Sequence, residues 1–143
     1  MKKKVILIID DEPDVISYLS AVLDDVDYDI HSSDSTADGL EKARKLHPDL
    51  ICLDIMMPEE SGLSLYARLR RDECLATIPV IIISGMESQQ EFDFRRYVGD
   101  RQIPPPERYI EKPINVEAFV ATVRTLISVV PGEPDENTQR QRS

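Results

Sequence analysis

Five short runs rich in Val, Ile and Leu alternate along the chain with stretches of helical periodicity. This alternation constrains the fold more than any other feature of the sequence. The runs cover residues 5–10, 27–32, 50–54, 79–84 and 108–112. A continuously apolar run such as the first is expected for a strand that is covered on both faces, whereas the more polar second and fifth runs indicate edge strands. Strands that alternate with helices in this way predict a parallel sheet with helices on both faces.

Between the apolar runs, hydrophobic residues recur at spacings of three and four, which is typical of helices with one buried face. The clearest helix lies near the C-terminal end, where Asn115 is placed to cap a stripe of apolar residues that runs from Val116 to Val130. The same spacing predicts earlier helices over residues 15–26, 37–45, 63–71 and 87–98.

The C-terminal segment has a different composition, because residues 131–143 contain no large apolar side chain. Such a segment cannot bury enough apolar surface to offset the entropy that is lost on ordering. We therefore expect one domain over residues 1–130, followed by a disordered tail or a linker over residues 131–143.

The charge balance excludes several classes of partner. Acidic residues outnumber basic ones 27 to 17, which gives a formal net charge of -10 and a surface that repels nucleic acid and anionic membranes. The apolar run that follows the N-terminal lysines is too short for a signal peptide, and no run approaches the length of a membrane helix. Two cysteines, Cys52 and Cys74, are too few for a disulfide framework. These features predict a cytoplasmic protein with reduced thiols.

Four of the predicted strands end in residues that carry chemistry. Asp10 and Asp11 end the first strand, Asp54 ends the third, Ser84 the fourth and Lys112 the fifth. Ligands of open parallel sheets bind outside the carboxyl ends of the strands. We therefore expect three acids, one hydroxyl and one lysine to converge at one edge of the sheet.

Three carboxylates within a few ångströms repel one another, so a proton or a cation has to join them. Hard oxygen ligands of this kind suit Mg²⁺. An ionised aspartate is already a competent nucleophile at neutral pH, and a metal ion together with a lysine would neutralise the charge on a transferred phosphoryl group. The set therefore predicts phosphoryl chemistry with Mg²⁺.

Each of these residues also has an ordinary structural explanation when it is taken alone. Asp11 could cap the first helix, Asp54 could be a turn acid ahead of Pro58, and Lys112 with Pro113 could form a solvated edge. The functional interpretation therefore depends on the whole set at the strand ends.

The sequence closely resembles the receiver domain of two-component response regulators, from about Lys3 to Val130. The matching motifs are Asp10-Asp11-Glu12-Pro13, Asp54-Ile55-Met56-Met57-Pro58 with Gly62, Ser84-Gly85 and Lys112-Pro113. The resemblance implies a flavodoxin-like (βα)5 fold, a doubly wound parallel sheet with strand order 2-1-3-4-5.

The resemblance also implies a role for each site residue. Asp54 would be the phosphoacceptor. Asp10 and Asp11 would bind Mg²⁺ together with Asp54 and the backbone carbonyl of Met56. Lys112 would pair with the phosphoryl group.

The same resemblance implies a phosphorylation-dependent switch rather than a classical enzyme. Ser84 would hydrogen-bond the phosphoryl group, and Tyr109 would be the switch aromatic that rotates toward the core. The Lys112-Pro113 peptide bond would be cis. The implied donor is a sensor histidine kinase or a phosphotransfer protein. The implied output is a downstream protein target, an output domain missing from this sequence or a phosphorylation-dependent homodimer.

The interval from Ser84 to Lys112 departs from the family, because it is several residues longer than usual and contains Pro104-Pro105-Pro106. Two other functions stay open from the residues alone. One is a Mg²⁺-dependent phosphohydrolase or a nucleotide or flavin binder on a similar sheet, although the scattered glycines form no phosphate-binding motif. The other is a degenerate interaction module that is never phosphorylated.

Overall fold

The computed structural model describes residues 3–24, 28–54, 62–84 and 106–128. They contain one five-stranded parallel sheet in the order β2-β1-β3-β4-β5. The strands are β1 (Lys4–Ile9), β2 (Tyr28–Ser33), β3 (Leu50–Asp54), β4 (Val80–Ser84) and β5 (Arg108–Glu111). The parallel sheet, its strand order and the two polar edge strands predicted from the sequence are confirmed.

Four helices in the described residues connect or follow these strands: α1 (Pro13–Val22), α2 (Thr36–Leu46), α3 (Gly62–Arg71) and α4 (Val116–Ser128). The predicted cap of α4 is confirmed, because the backbone N–H of Ala118 donates to Asn115 Oδ1 at 2.9 Å. The helix predicted over residues 87–98 and the tail over residues 131–143 lie outside the described residues. Every helix of the described part is too short or too polar to cross a membrane.

The helices cover the sheet on both faces, and side chains of β1 and β3 alternate between the two apolar layers. Leu7 and Ile9 pack with residues of α2 and α3 on one face, while Ile6 and Ile8 pack with residues of α1 and α4 on the other. Gly39 lets α2 approach β1, because a Cβ at this position would lie 2.8 Å from Cδ1 of Ile9. β3 is therefore buried along its whole length, and β1 is buried from Ile6 to Ile9, up to the carboxyl end where Asp10 follows.

A buried guanidinium joins α3 to the beginning of β5. The side chain of Arg70 is 3% exposed. It donates hydrogen bonds to Tyr66 Oη at 3.0 Å, to the carbonyl of Ile78 at 2.6 Å and to Glu107 Oε1 at 2.8 Å. Glu107 Oε1 also accepts the backbone N–H of Val80 at 2.8 Å. One arginine thus ties α3 and β4 to the segment that enters β5.

Replacing Arg70 by Met is expected to lower the free energy of unfolding by about 1–3 kcal/mol, because the half-exposed Glu107 and the carbonyls of Ala76 and Ile78 lose a charged donor. Arg44→Met is the matched control, since Arg44 pairs with Asp72 at the surface, where such pairs contribute less than about 1 kcal/mol. Urea unfolding of both variants checks this prediction. Equal losses in the two variants would show that the Arg70 interactions do not anchor β5.

Candidate functional site

The acids predicted to converge do lie together at the carboxyl edge of the sheet. Asp54 is the last residue of β3, and Asp10 directly follows β1, its neighbour in the sheet. Both are only 1% exposed. Asp10, Asp11, Glu12 and Asp54 each place one carboxylate oxygen within 4.8 Å of those of the others. Acids from two adjacent strands therefore share one site.

Backbone hydrogen bonds fix the position of Asp10. Its N–H donates to the carbonyl of Ser33 at 3.0 Å, which extends the pairing of β1 with β2 by one residue. Its Oδ1 accepts the N–H of Glu12 at 2.9 Å, so the chain turns sharply into α1. The helix cap considered for Asp11 is wrong, because the residue at the N-cap of α1 is Glu12.

Lys112 supplies the positive charge of the site. It directly follows β5, and its Nζ lies 3.9 Å from Asp54 Oδ2, 4.0 Å from Asp10 Oδ2 and 4.0 Å from Glu12 Oε1. The Lys112-Pro113 peptide bond is cis, as predicted. The convergence of a lysine from β5 with acids from β1 and β3 is therefore confirmed.

The electrostatics of the site favour the addition of a cation. The pKa of the Asp10 carboxyl is raised from 3.8 to about 7, chiefly by burial and also by the charge of Asp54, although the N–H of Glu12 and the ammonium of Lys112 lower it. Asp10 Oδ2 and Asp11 Oδ1 are buried and accept no hydrogen bond within the described residues. Buried carboxylate oxygens in a cluster of this kind are suitable ligands for a hard divalent ion such as Mg²⁺.

Asp10→Asn is expected to stabilise the fold at pH 8 in the presence of a chelator, by about 1–3 kcal/mol. Between pH 4 and 7 the folded chain retains a proton that the unfolded chain has lost, because the pKa of Asp10 is raised from 3.8 to about 7. The free energy of unfolding therefore falls with rising pH. An asparagine does not titrate, so Asp10→Asn does not show the part of this fall that comes from Asp10. Urea unfolding at pH 5 and pH 8 measures the effect, with Asp14→Asn on the exposed face of α1 as the control. If Asp10→Asn raised the free energy of unfolding by the same amount at pH 5 and pH 8, the prediction would be contradicted.

For three other predicted site residues, Ser84, Tyr109 and Met56, the structure gives less information about the surroundings. Ser84 is the last residue of β4 and pairs with Glu111 of β5. Tyr109 lies on β5 opposite Ile82 and is 43% exposed. Met56 lies outside the described residues. The functional roles assigned to Ser84, Tyr109 and Met56 remain predictions.

Glu12 is a member of the acidic cluster that the sequence did not single out. It stands between the Asp10-Asp11 pair and Pro13, where an acid is ordinary in the first turn of a helix. The only signal in the sequence was a third consecutive acid. Its proximity to Lys112 depends on where the β5–α4 connection lies, which the local sequence does not encode.

Comparison with known proteins gives a consistent result. A sequence model described as the response regulator receiver domain matches residues 6–124. The chain is 36% identical over 126 residues to the DNA-binding dual master transcriptional regulator RpaA of Synechocystis, covering 85% of this chain and 48% of RpaA. It is 32% identical over 124 residues to the polar-differentiation response regulator DivK of Brucella ovis, covering 87% of this chain and 96% of DivK.

The fold is also similar to solved structures. The receiver domain of a DNA-binding response regulator from Colwellia psychrerythraea superposes with a TM-score of 0.76 at 23% identity, covering 89% of this chain and 100% of the other. A response regulator from Chloroflexus aurantiacus superposes with a TM-score of 0.74 at 23% identity, covering 90% of this chain and 100% of the other. The chain thus spans nearly the full length of DivK and of both solved domains, but about half the length of RpaA.

Proposed function

The chain belongs to the response regulator receiver domain family of two-component signalling, and on this premise we propose that it is a phosphorylation-dependent switch. In this proposal Asp54 accepts a phosphoryl group with the help of Mg²⁺, and the surface that the domain offers to other proteins then changes. The observation that supports it most is the Asp54 carboxylate, which is buried beside Asp10 and lies 3.9 Å from Lys112. A nucleophile, a metal-binding cluster and a cation share one site.

The donor set of the cluster fits a resident Mg²⁺. Asp10, Asp11 and Asp54 would hold the ion, and the carbonyl of Met56 is the further ligand predicted from the resemblance. When bound, the ion would neutralise charge on the phosphoryl oxygens. The orphaned buried oxygens of Asp10 and Asp11 support this assignment, because they have no hydrogen-bond donor in the described part of the chain.

The chain's own residues carry the transfer itself. An oxygen of Asp54 attacks phosphorus and forms a new P–O bond, while the bond between phosphorus and the donor breaks and its electron pair leaves with the donor. An ionised carboxylate needs no general base for this step. The ammonium of Lys112 pairs with the developing charge on the phosphoryl oxygens.

The added charge biases a two-state equilibrium in this proposal. Ser84 and Lys112 reach the phosphoryl oxygens as the connections after β4 and β5 move inward, and Tyr109 rotates into the space that this motion vacates. The altered surface would surround the helix predicted over residues 87–98, together with β5 and α4. In the unphosphorylated chain Tyr109 is half-exposed on β5.

The remaining parts of the proposal concern the setting of the domain. The donor is a histidine kinase or a phosphotransfer protein, and the output is a protein target, an output domain or a phosphorylation-dependent homodimer. A domain over residues 1–130, a tail or linker over residues 131–143 and a cytoplasmic location belong to the same proposal. The family model ends at residue 124, within α4.

Incubation with acetyl phosphate and Mg²⁺, followed by intact-mass spectrometry, tests the function. The expected product carries one phosphoryl group that is stable in acid and labile in base. Unmodified protein at saturating donor would contradict the proposal and favour an interaction module. Steady turnover of diverse phosphoesters would favour a phosphohydrolase instead.

A further inference from the structure

Glu12 lies beside Lys112 at the mouth of the site. Its Oε1 is 4.0 Å from Lys112 Nζ, the same distance as Asp10 Oδ2. The two buried partners of Lys112, Asp10 and Asp54, are 2% and 1% exposed at their side chains, whereas the Glu12 side chain is 61% exposed. Lys112 is therefore shared between an inner pair of carboxylates and one outer carboxylate.

The side chain of Glu12 takes no part in capping α1. Glu12 occupies the N-cap position, but its side chain makes no capping hydrogen bond. Its backbone stabilises the start of the helix instead. The carbonyl of Glu12 accepts the N–H groups of Val15 and Ile16, and its own N–H donates to Asp10 Oδ1. A change confined to the Glu12 carboxylate therefore leaves the turn and the beginning of α1 intact.

We propose that Glu12 is a positioning residue that competes with the phosphoryl group for Lys112. The inference rests on the proposed function, because it presupposes that Lys112 pairs with a phosphoryl group on Asp54. In the unphosphorylated chain the Glu12 carboxylate holds the ammonium toward the mouth of the site. A phosphoryl group on Asp54 carries more negative charge than one carboxylate and draws the ammonium inward, away from Glu12.

Because the Glu12 side chain is mostly exposed, its ion pair with Lys112 is weak. An ion pair with one exposed partner contributes less than about 1 kcal/mol, because water and salt screen it. Glu12 therefore weakens the pairing of Lys112 with the phosphoryl group without preventing it. Removing its charge is expected to raise the affinity for a phosphoryl mimic by about twofold to fivefold.

A metal-binding role for Glu12 would predict a different pattern. The loss of a direct ligand would lower Mg²⁺ affinity by at least about tenfold. A positioning role that acts through Lys112 leaves Mg²⁺ affinity within about twofold, since the buried oxygens of Asp10 and Asp11 are untouched. The two affinities therefore separate the two roles.

Asp14 provides a matched control for the effect of charge alone. It is an exposed acid in the first turn of α1 and lines the same groove as Lys112. Among the described residues, the carboxylates within 4.0 Å of Lys112 Nζ are those of Asp10, Glu12 and Asp54. Asp14→Asn thus removes a nearby negative charge without removing an ion pair of Lys112.

Calorimetric titrations of the wild-type chain, Glu12→Gln and Asp14→Asn, first with Mg²⁺ and then with beryllofluoride in excess Mg²⁺, test the inference. The expected result is tighter beryllofluoride binding in Glu12→Gln only, with Mg²⁺ affinity unchanged in all three. Equal beryllofluoride affinities in Glu12→Gln and the wild type, an equal gain in Asp14→Asn, or a tenfold loss of Mg²⁺ affinity in Glu12→Gln would each overturn it. Those results would leave the proposed phosphorylation-dependent switch unaffected. A wild-type chain that binds no beryllofluoride would contradict both the switch and the role of Glu12.

Discussion

Replacing Asp54 by Asn is expected to abolish phosphoryl transfer from acetyl phosphate, lowering the rate by at least about a thousandfold. The amide is close to the carboxylate in size, so the buried position at the end of β3 stays filled. It has no ionised oxygen, however, and cannot act as the nucleophile. Intact-mass spectrometry after incubation with the donor and Mg²⁺ measures the loss.

Asp14→Asn is the matched control for this experiment, because it makes the same chemical change on the exposed face of α1. It is expected to be phosphorylated at close to the wild-type rate. Full phosphorylation of Asp54→Asn would contradict the account and would assign the acceptor role to another acid, with Asp10 and Asp11 the nearest candidates.

The second large effect concerns the metal. Asp11→Asn is expected to weaken Mg²⁺ binding by at least about tenfold, because Asp11 Oδ1 is a buried oxygen that the described residues leave without a hydrogen bond. An amide group is a weaker ligand than a carboxylate and also lowers the negative charge of the cluster. Phosphorylation at a fixed, low Mg²⁺ concentration is expected to slow in proportion.

Mg²⁺ titration followed by thermal unfolding checks this prediction, because a ligand that binds only the folded chain raises the melting temperature. The wild-type chain and Asp14→Asn are expected to show a rise that depends on the Mg²⁺ concentration, and Asp11→Asn to need much more of the ion for the same rise. An identical dependence in all three would place the metal elsewhere or show that the cluster binds none.

The sheet and the convergence of the site could be predicted from the sequence because both follow from local patterns. Asp10 and Asp54 come at the ends of continuously apolar runs, and parallel strands bring such ends to one edge. The observed strand boundaries differ from the predicted ones by at most one residue, because the end of a strand depends on hydrogen bonds to the adjacent strand. Pro79, for example, lies outside β4, because its carbonyl accepts the N–H of Ile51 but its nitrogen has no hydrogen to donate.

Contacts between distant segments could not be predicted in this way. Arg70 and Glu107 are 37 positions apart, and nothing near either residue indicates that a guanidinium would be buried between them. Glu12 is likewise an ordinary first-turn acid by sequence, and only the position of Lys112 after β5 gives it a partner. Local rules thus located the site, while tertiary packing determined which charges face each other within it.

The most direct measurement of the central claim is to locate the phosphoryl group on the chain. Reduction of the phosphorylated protein with borohydride converts an aspartyl phosphate to homoserine, and peptide mass spectrometry identifies the residue changed. The account predicts homoserine at position 54 in a reaction that requires Mg²⁺. Homoserine at any other position, or none after saturating donor, would contradict it.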